Sequence, residues 1–182
     1  MKGKLIAVSG PSGVGKGTIV KTLVKRRGDV VESVSCTTRL PRAGEVHGRE
    51  YFFLSKEEFQ KRIQEGDFLE YDEHFGNFYG TPKSFVREML KSKSVILEID
   101  VVGALNAKKA FPECLLVMIA PPSLEELARR LKNRNTETDE EIQNRLARLE
   151  YELSQSNQYD YVIVNDELEK AIAELESILD RE

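Results

Sequence analysis

The run Gly10-Pro11-Ser12-Gly13-Val14-Gly15-Lys16-Gly17-Thr18 constrains this chain more than any other feature. It follows the apolar stretch Leu5 to Ser9 directly and opens onto Ile19, Val20, Leu23 and Val24 at helical spacing. Glycines accept φ > 0, so a backbone rich in them can curl its amides inward, and a helix N-terminus adds partial positive charge. A lysine at the end of the curl reaches the outer oxygens of a phosphate chain. Strand, loop, lysine and helix stand here in the order a phosphate cradle needs. The expected contacts are Gly10, Pro11, Ser12, Gly13, Val14, Gly15, Lys16, Gly17 and Thr18. A Ser or Thr directly after the lysine would meet Mg2+ in the strict form of the motif, but Gly17 stands there and the next hydroxyl is that of Thr18.

The rest of the chain keeps the same alternation of strand and helix. Short apolar runs at Leu5 to Ser9, Val31 to Thr37, Val95 to Asp100, Leu115 to Ala120 and Tyr161 to Val164 read as buried strands. Between and after them come helical stripes: Leu124, Leu127, Ala128 and Leu131; Ile142, Leu146, Leu149 and Leu153; Leu168, Ala171, Ile172, Leu175, Ile178 and Leu179. Ser55/Glu58, Ser123/Glu126 and Thr138/Glu141 have the spacing at which a helix-capping pair satisfies reciprocal amides, and Thr81-Pro82 marks another helix start. Continuous apolar strands alternating with helices predict a parallel sheet covered on both faces, a three-layer α/β domain. At 182 residues with 40% hydrophobic and 32% charged side chains, one such domain accounts for the chain.

Composition removes several function classes. A net charge of −4 argues against a nucleic-acid-coating protein. No stretch of about 18 apolar residues exists to span a membrane, and the run after Lys4 is too short for a signal peptide, so the cytoplasm is the expected compartment. Cys36 and Cys114 are isolated and flanked by apolar residues, which predicts buried, reduced thiols. The strand ending Glu98-Ile99-Asp100 places an acid where a P-loop protein holds its metal or the metal's waters, and makes Asp100, with Thr18, the candidate metal contact.

Two segments break the rhythm. From Arg39 to Tyr79 the chain is rich in aromatic, acidic and glycine residues, which predicts an inserted subdomain, and Lys132 to Glu141 is a polar run beside Arg130 and Arg134, which predicts a lid. The first contains Ser35-Cys36-Thr37-Thr38-Arg39-Leu40-Pro41-Arg42-Ala43-Gly44-Glu45, Gly48-Arg49-Glu50-Tyr51-Phe52-Phe53, Phe68-Leu69-Glu70-Tyr71 and Gly76-Asn77-Phe78-Tyr79-Gly80-Thr81. Together with Ile99-Asp100, Val102-Gly103, Ala120-Pro121-Pro122-Ser123, Arg134-Asn135-Thr136-Glu137-Thr138 and Val164-Asn165-Asp166, these resemble the guanylate kinase family over nearly the whole chain.

The resemblance implies a P-loop NTPase fold with a central parallel sheet, an inserted GMP-binding subdomain at 35–81 and an arginine-bearing lid at 129–156, on a core of 1–34, 82–128 and 157–182. It implies transfer of the γ-phosphoryl group of Mg-ATP to GMP, and to dGMP, with Mg2+ as cofactor, no nucleic-acid or membrane partner, and a monomer or small homo-oligomer. By the same resemblance Arg39, Arg42, Tyr51 and Tyr79 hold the acceptor phosphate, with Glu45 in the same region. Ser35, Glu70, Thr81, Glu98 and Asp100 surround the acceptor base, Asn165 neighbours adenine, and Lys16, Arg39, Arg134 and Arg145 carry catalysis. The chemistry agrees: an Arg fork suits a dianionic phosphate, and one carboxylate accepts both N1–H and N2–H of guanine, whereas adenine offers it an acceptor. Three positions depart from the family pattern: Gly17, Asn135 where glycine is common, and Glu98 where Asp also occurs. A guanylate-kinase-like phosphopeptide-binding module and a kinase of another monophosphate are the competing readings; the intact P-loop speaks against the first and Glu70 against the second.

Overall fold

A computed structural model describes residues 3–74, 76–123, 125–126, 129 and 151–181. Five strands, β1 (Leu5–Ser9), β2 (Val30–Glu32), β7 (Ser94–Glu98), β8 (Leu115–Ala120) and β9 (Tyr161–Val164), form one sheet in the order β2-β7-β1-β8-β9. All of its pairings are parallel, with Leu5 opposite Val95 and Ile6 opposite Leu115. Every residue of β1 is buried because both sheet faces are covered. Alternation along the strand sends Ile6 and Val8 to one face, with α1 (Lys16–Arg26) and α5 (Leu168–Asp180), and Leu5 and Ala7 to the other, with α3 (Lys83–Met89) and α4 (Val101–Ala110). Of the predicted stripe of the last helix, Ala171, Ile172, Leu175, Ile178 and Leu179 are buried, while Leu168, in the first turn, is exposed.

The segment after β2 leaves this sheet. The expected single strand Val31 to Thr37 is two: β2 ends at Glu32, and β3 (Cys36–Thr37) belongs to a second sheet ordered β4-β3-β6-β5, with β4 (Phe52–Phe53), β5 (Phe68–His74) and β6 (Asn77–Pro82). Continuous β propensity hid the break because both halves are buried in separate cores. The second core is small: Cys36, Phe59 and Phe68 are its fully buried residues, and the Phe59 ring stacks on Phe68 and Phe78 at centroid distances of 4.4 and 5.4 Å. Phe59 sits on α2 (Lys56–Gln64), which begins with the full reciprocal cap between Ser55 and Glu58.

Other helix starts differ in detail. Ser123 accepts a hydrogen bond from the Glu126 amide at 3.1 Å, half of the expected cap. Thr81 lies in β6 and Pro82 is the N-cap of α3, so that helix begins at Lys83, one residue later than the Thr-Pro pair implies. Strand β7 ends at Glu98, and Asp100 is the N-cap of α4, its carboxylate accepting from the Gly103 amide at 2.8 Å. Helix α4 carried no leucine stripe in the sequence; it buries Val101, Gly103, Ala104 and Ala107, small side chains that leave little apolar contrast. The cap at Thr138/Glu141 and the stripe from Ile142 to Leu149 lie outside the described residues.

Candidate active site

The P-loop joins the end of β1 to α1 at the edge where all five parallel strands end. Gly10, Gly13 and Gly15 have φ of 137°, 84° and 102°, values that L side chains rarely adopt. Gly10 also passes within 2.2 Å, measured from an ideal Cβ, of the Ile119 carbonyl oxygen, so β8 admits only glycine there. Helix α1 has no acidic residue in its first turn, which leaves its N-terminus electropositive. Lys16 folds over the loop, its Nζ donating to the carbonyls of Gly10 at 2.5 Å and Pro11 at 3.0 Å. Asn165, just after β9, is buried; its Nδ2 donates to the Val14 carbonyl at 2.7 Å and so braces the loop from beneath. Ser12, Gly13, Gly15, Lys16, Gly17 and Thr18 line a hollow of about 400 Å³ together with Lys21 and Glu98.

On the other side of Glu98 a cavity of about 360 Å³ lies between α4 and the second sheet. Ser35, Tyr51, Glu70, Tyr79, Glu98 and Asp100 line it. Glu70 is fixed by Thr81, a fully buried residue on the neighbouring strand whose hydroxyl donates to Oε1 at 2.7 Å. Burial is the main force raising the Glu70 carboxyl above its ordinary value, and the Asp100 charge adds to it, while the Thr81 hydrogen bond opposes. The two acids meet over Gly103, where a Cβ would stand 3.2 Å from Asp100 Oδ1 and 3.4 Å from Glu70 Oε2. A pair of carboxylates in one half-closed cavity is suited to a ligand that presents several N–H donors.

The arginines are held from the outside. Arg39 forms an ion pair with Glu45 at 2.9 Å, and its guanidinium lies 5.5 Å from the centroid of the Tyr51 ring. Tyr51 packs edge-on against Tyr79 at 6.1 Å. Glu45 accepts from the Arg42 amide as well, at 2.7 Å, and these partners, Arg39 first, hold its carboxyl below the usual range. Glu45 thus braces the arginine loop, while the Arg42 side chain is exposed. A third hollow of about 500 Å³, bordered by Lys21, Ser35, Tyr51 and Glu98, connects these groups with the P-loop side. Arg134 and Arg145, with Arg130, Arg148 and Asn135, lie outside the described residues.

The two residues expected at the metal, Thr18 and Asp100, line different hollows. Thr18 lines the P-loop hollow as expected, but the acid that lines it is Glu98; Asp100 faces the cavity beside α4 and caps that helix. Glu98 Oε2 and Oε1 lie 3.3 and 3.4 Å from where a Cβ on Gly17 would be, so the carboxylate leans into the space that the missing hydroxyl side chain vacates. One carboxylate, one hydroxyl and open room are a hard-oxygen set that fits a partly hydrated Mg2+. Among the described residues no group of three or more His, Cys, Asp or Glu could hold a metal by itself. Lys21, Gly103 and Asn106 are lining residues that sequence reading did not single out as ligands; only the tertiary fold puts them beside the motifs.

The profile of the family described as Guanylate kinase matches residues 2–182. The chain belongs to the guanylate kinase family. It is 50% identical over 182 residues to a guanylate kinase of Clostridium tetani, covering 100% of this chain and 87% of that relative. It is also 48% identical over 179 residues to one from Caldanaerobacter subterraneus subsp. tengcongensis, covering 98% and 87%. Among solved structures it is similar to the guanylate kinase of Anaplasma phagocytophilum, with a TM-score of 0.74, 35% identity, and coverage of 97% of this chain and 84% of that one. A shikimate kinase from Bacteroides thetaiotaomicron, 18% identical with a TM-score of 0.54 and coverage of 98% and 99%, shares the fold alone. The guanylate kinase fold thus accounts for both sheets, the parallel one behind the P-loop and the small one beside it.

Proposed function

We infer that the protein transfers the γ-phosphoryl group of ATP to GMP, yielding ADP and GDP. The observation that carries the reading is the placement of two unlike cavities on either side of Glu98, one framed by P-loop amides and Lys16, the other by the Glu70 and Asp100 carboxylates. Phosphoryl transfer needs alignment and charge neutralisation, with little covalent help from protein groups. The P-loop amides and Lys16 bind the donor phosphates. Arg39 and Arg42 meet the acceptor phosphate beside the Tyr51 and Tyr79 hydroxyls, so that two anions can approach, and Glu70, supported by Thr81, orients guanine by its N1–H and N2–H edge. Ser35 and Asp100 complete the base site.

Within this reading residues 35–81 are the acceptor-binding region, 129–156 the lid supplying Arg134 and Arg145, and the remainder the core. Mg2+ accompanies ATP, with Thr18 and Glu98 as the groups along its place; when bound it neutralises charge on the donor phosphates. None of the lining residues demands a 2′-hydroxyl, so dGMP is a substrate as well. The site of action is the cytoplasm; no described helix is long and apolar enough to cross a membrane.

The test is ADP release from Mg-ATP against GMP, dGMP, AMP, UMP and CMP in parallel, with a no-acceptor control. GMP and dGMP are expected to dominate, and Lys16→Met is expected to lose most turnover while its melting curve stays put. Preference for another monophosphate would remove the Glu70 assignment and leave the P-loop assignment standing.

A further inference from the structure

Glu98 owes its place beside the P-loop to strand register. In the parallel pairing of β1 with β7, Val8 lies opposite Glu98, so β7 ends next to the point where the P-loop leaves β1. Side chains alternate along β7: Val95 and Leu97 pack on the α3–α4 side of the sheet, and Ile96 packs on the α1 side. Glu98 therefore points to the α1 side, toward the first turn of that helix. There it meets Gly17. The three atoms nearest to an ideal Cβ on Gly17 are the two carboxylate oxygens of Glu98, at 3.3 and 3.4 Å, and their carbon, at 3.7 Å.

The backbone does not explain this glycine. Gly17 is the second residue of α1 and has no positive φ, and alanine is the better helix former. What a side chain at 17 would take up is the room of the Glu98 carboxylate. That carboxylate is exposed and forms no ion pair with a described residue. Among the residues lining the P-loop hollow Glu98 is the only acid, set against Lys16 and Lys21. The lysines suit phosphate oxygens, whereas the carboxylate and the Thr18 hydroxyl are hard oxygens suited to a small divalent cation. An aspartate at 98, one methylene shorter, would stop short of α1.

We propose that Gly17 and Glu98 act as one unit, in which the bare Cα at 17 is the room through which the long carboxylate at 98 reaches toward the cation of the donor nucleotide. Glu98 does there what a hydroxyl on residue 17 would do, and Gly17 is a positioning residue that acts only through Glu98. The inference rests on the Mg-ATP reading and adds to it why this chain dispenses with a hydroxyl directly after the loop lysine.

The test is calorimetric affinity for ATP, without GMP, in Mg2+ and in EDTA. The ratio of the two dissociation constants reports the cation contact apart from turnover. If the unmodified protein binds ATP in neither condition, the P-loop reading falls and this one with it; if it binds equally in both, this inference alone falls. Glu98→Asp is expected to lower the ratio about tenfold, the low end for changing a residue that orients a metal site, with affinity in EDTA unchanged. Gly17→Ala is expected to lower it in part, although it favours the helix. On the Glu98→Asp background Gly17→Ser is expected to restore most of the ratio, because a hydroxyl then follows Lys16 and the shorter acid leaves it space. Gly17→Ala on that background is expected to restore none. An unchanged ratio in Glu98→Asp, or the same result from serine and alanine at 17, would overturn the assignment. A side chain at 17 meets only the end of a flexible carboxylate, so the variants stay folded, and an unchanged circular dichroism melt checks that.

Discussion

At the scale of single residues, the site depends on a few positions where no other side chain fits. Gly15 combines φ of 102° with an ideal Cβ only 2.5 Å from the Asn165 amide nitrogen. Gly15→Ala is therefore expected to cost about 1–3 kcal/mol of stability from backbone strain and to displace the Asn165 brace, weakening ATP binding. Calorimetry with and without ATP reads both; an unchanged melting temperature would contradict the strain. The thiols carry a pH signature. Burial is the main cause that pushes Cys36 up to about 11 and Cys114 up to about 12. The folded state then holds its thiol protons while the unfolded chain releases them near the ordinary value of about 8.5. This contribution to stability is complete below that value and declines as pH rises toward 11. Native protein is expected to resist a thiol reagent at pH 8 that labels both cysteines in urea, and fast native labelling would refute it.

Among the elements, α2 is the one whose stability bears most directly on the acceptor side, because its single buried residue, Phe59, stacks within the core of the small sheet. Ser55→Ala removes the half of the cap in which the Ser55 hydroxyl accepts from the Glu58 amide and keeps the backbone half, and is expected to cost about 1 kcal/mol, read as a lower urea midpoint with the m-value unchanged. Phe59→Ala removes most of a three-residue core, at about 3–5 kcal/mol, and is expected to raise KM for GMP far more than KM for ATP. Equal changes in the two would mean that the small sheet also supports the P-loop. The cap of α2 was legible in the sequence because capping is local chemistry. Helix α4 was not: its buried face is built of Val, Gly and Ala, and Asp100 and Gly103 at its start have meaning only against Glu70 of β5.

Among the described residues the buried apolar side chains form three clusters, one on each face of the parallel sheet and a much smaller one in the second sheet. Sixteen buried residues form the cluster between the parallel sheet and the α1–α5 face, against three in the small sheet. Opening free energy follows buried apolar contact, so amides of β3, β5 and β6 are expected to exchange hydrogen faster than those of β1, β7 and β8. GMP is expected to slow the first group selectively. Identical protection in both sheets would show one cooperative unit.

The sequence by itself determined the β-loop-α cradle and the parallel character of the main sheet, because each is written in local spacing, glycines before a lysine and apolar runs of strand length; the break in rhythm from Arg39 to Tyr79 likewise marked the stretch that holds most of the second sheet. It also named Arg39, Glu45, Tyr51, Glu70 and Thr81 through their motif. The tertiary structure decided how they act. The break between β2 and β3, the brace of Asn165 on a loop 151 residues away, the approach of Glu98 to Gly17, and the meeting of Glu70 with Asp100 over Gly103 depend on how the elements pack. Periodicity reports which face of an element is buried; it does not report what that face meets, and at this site the partner across the cavity decides what each side chain can do.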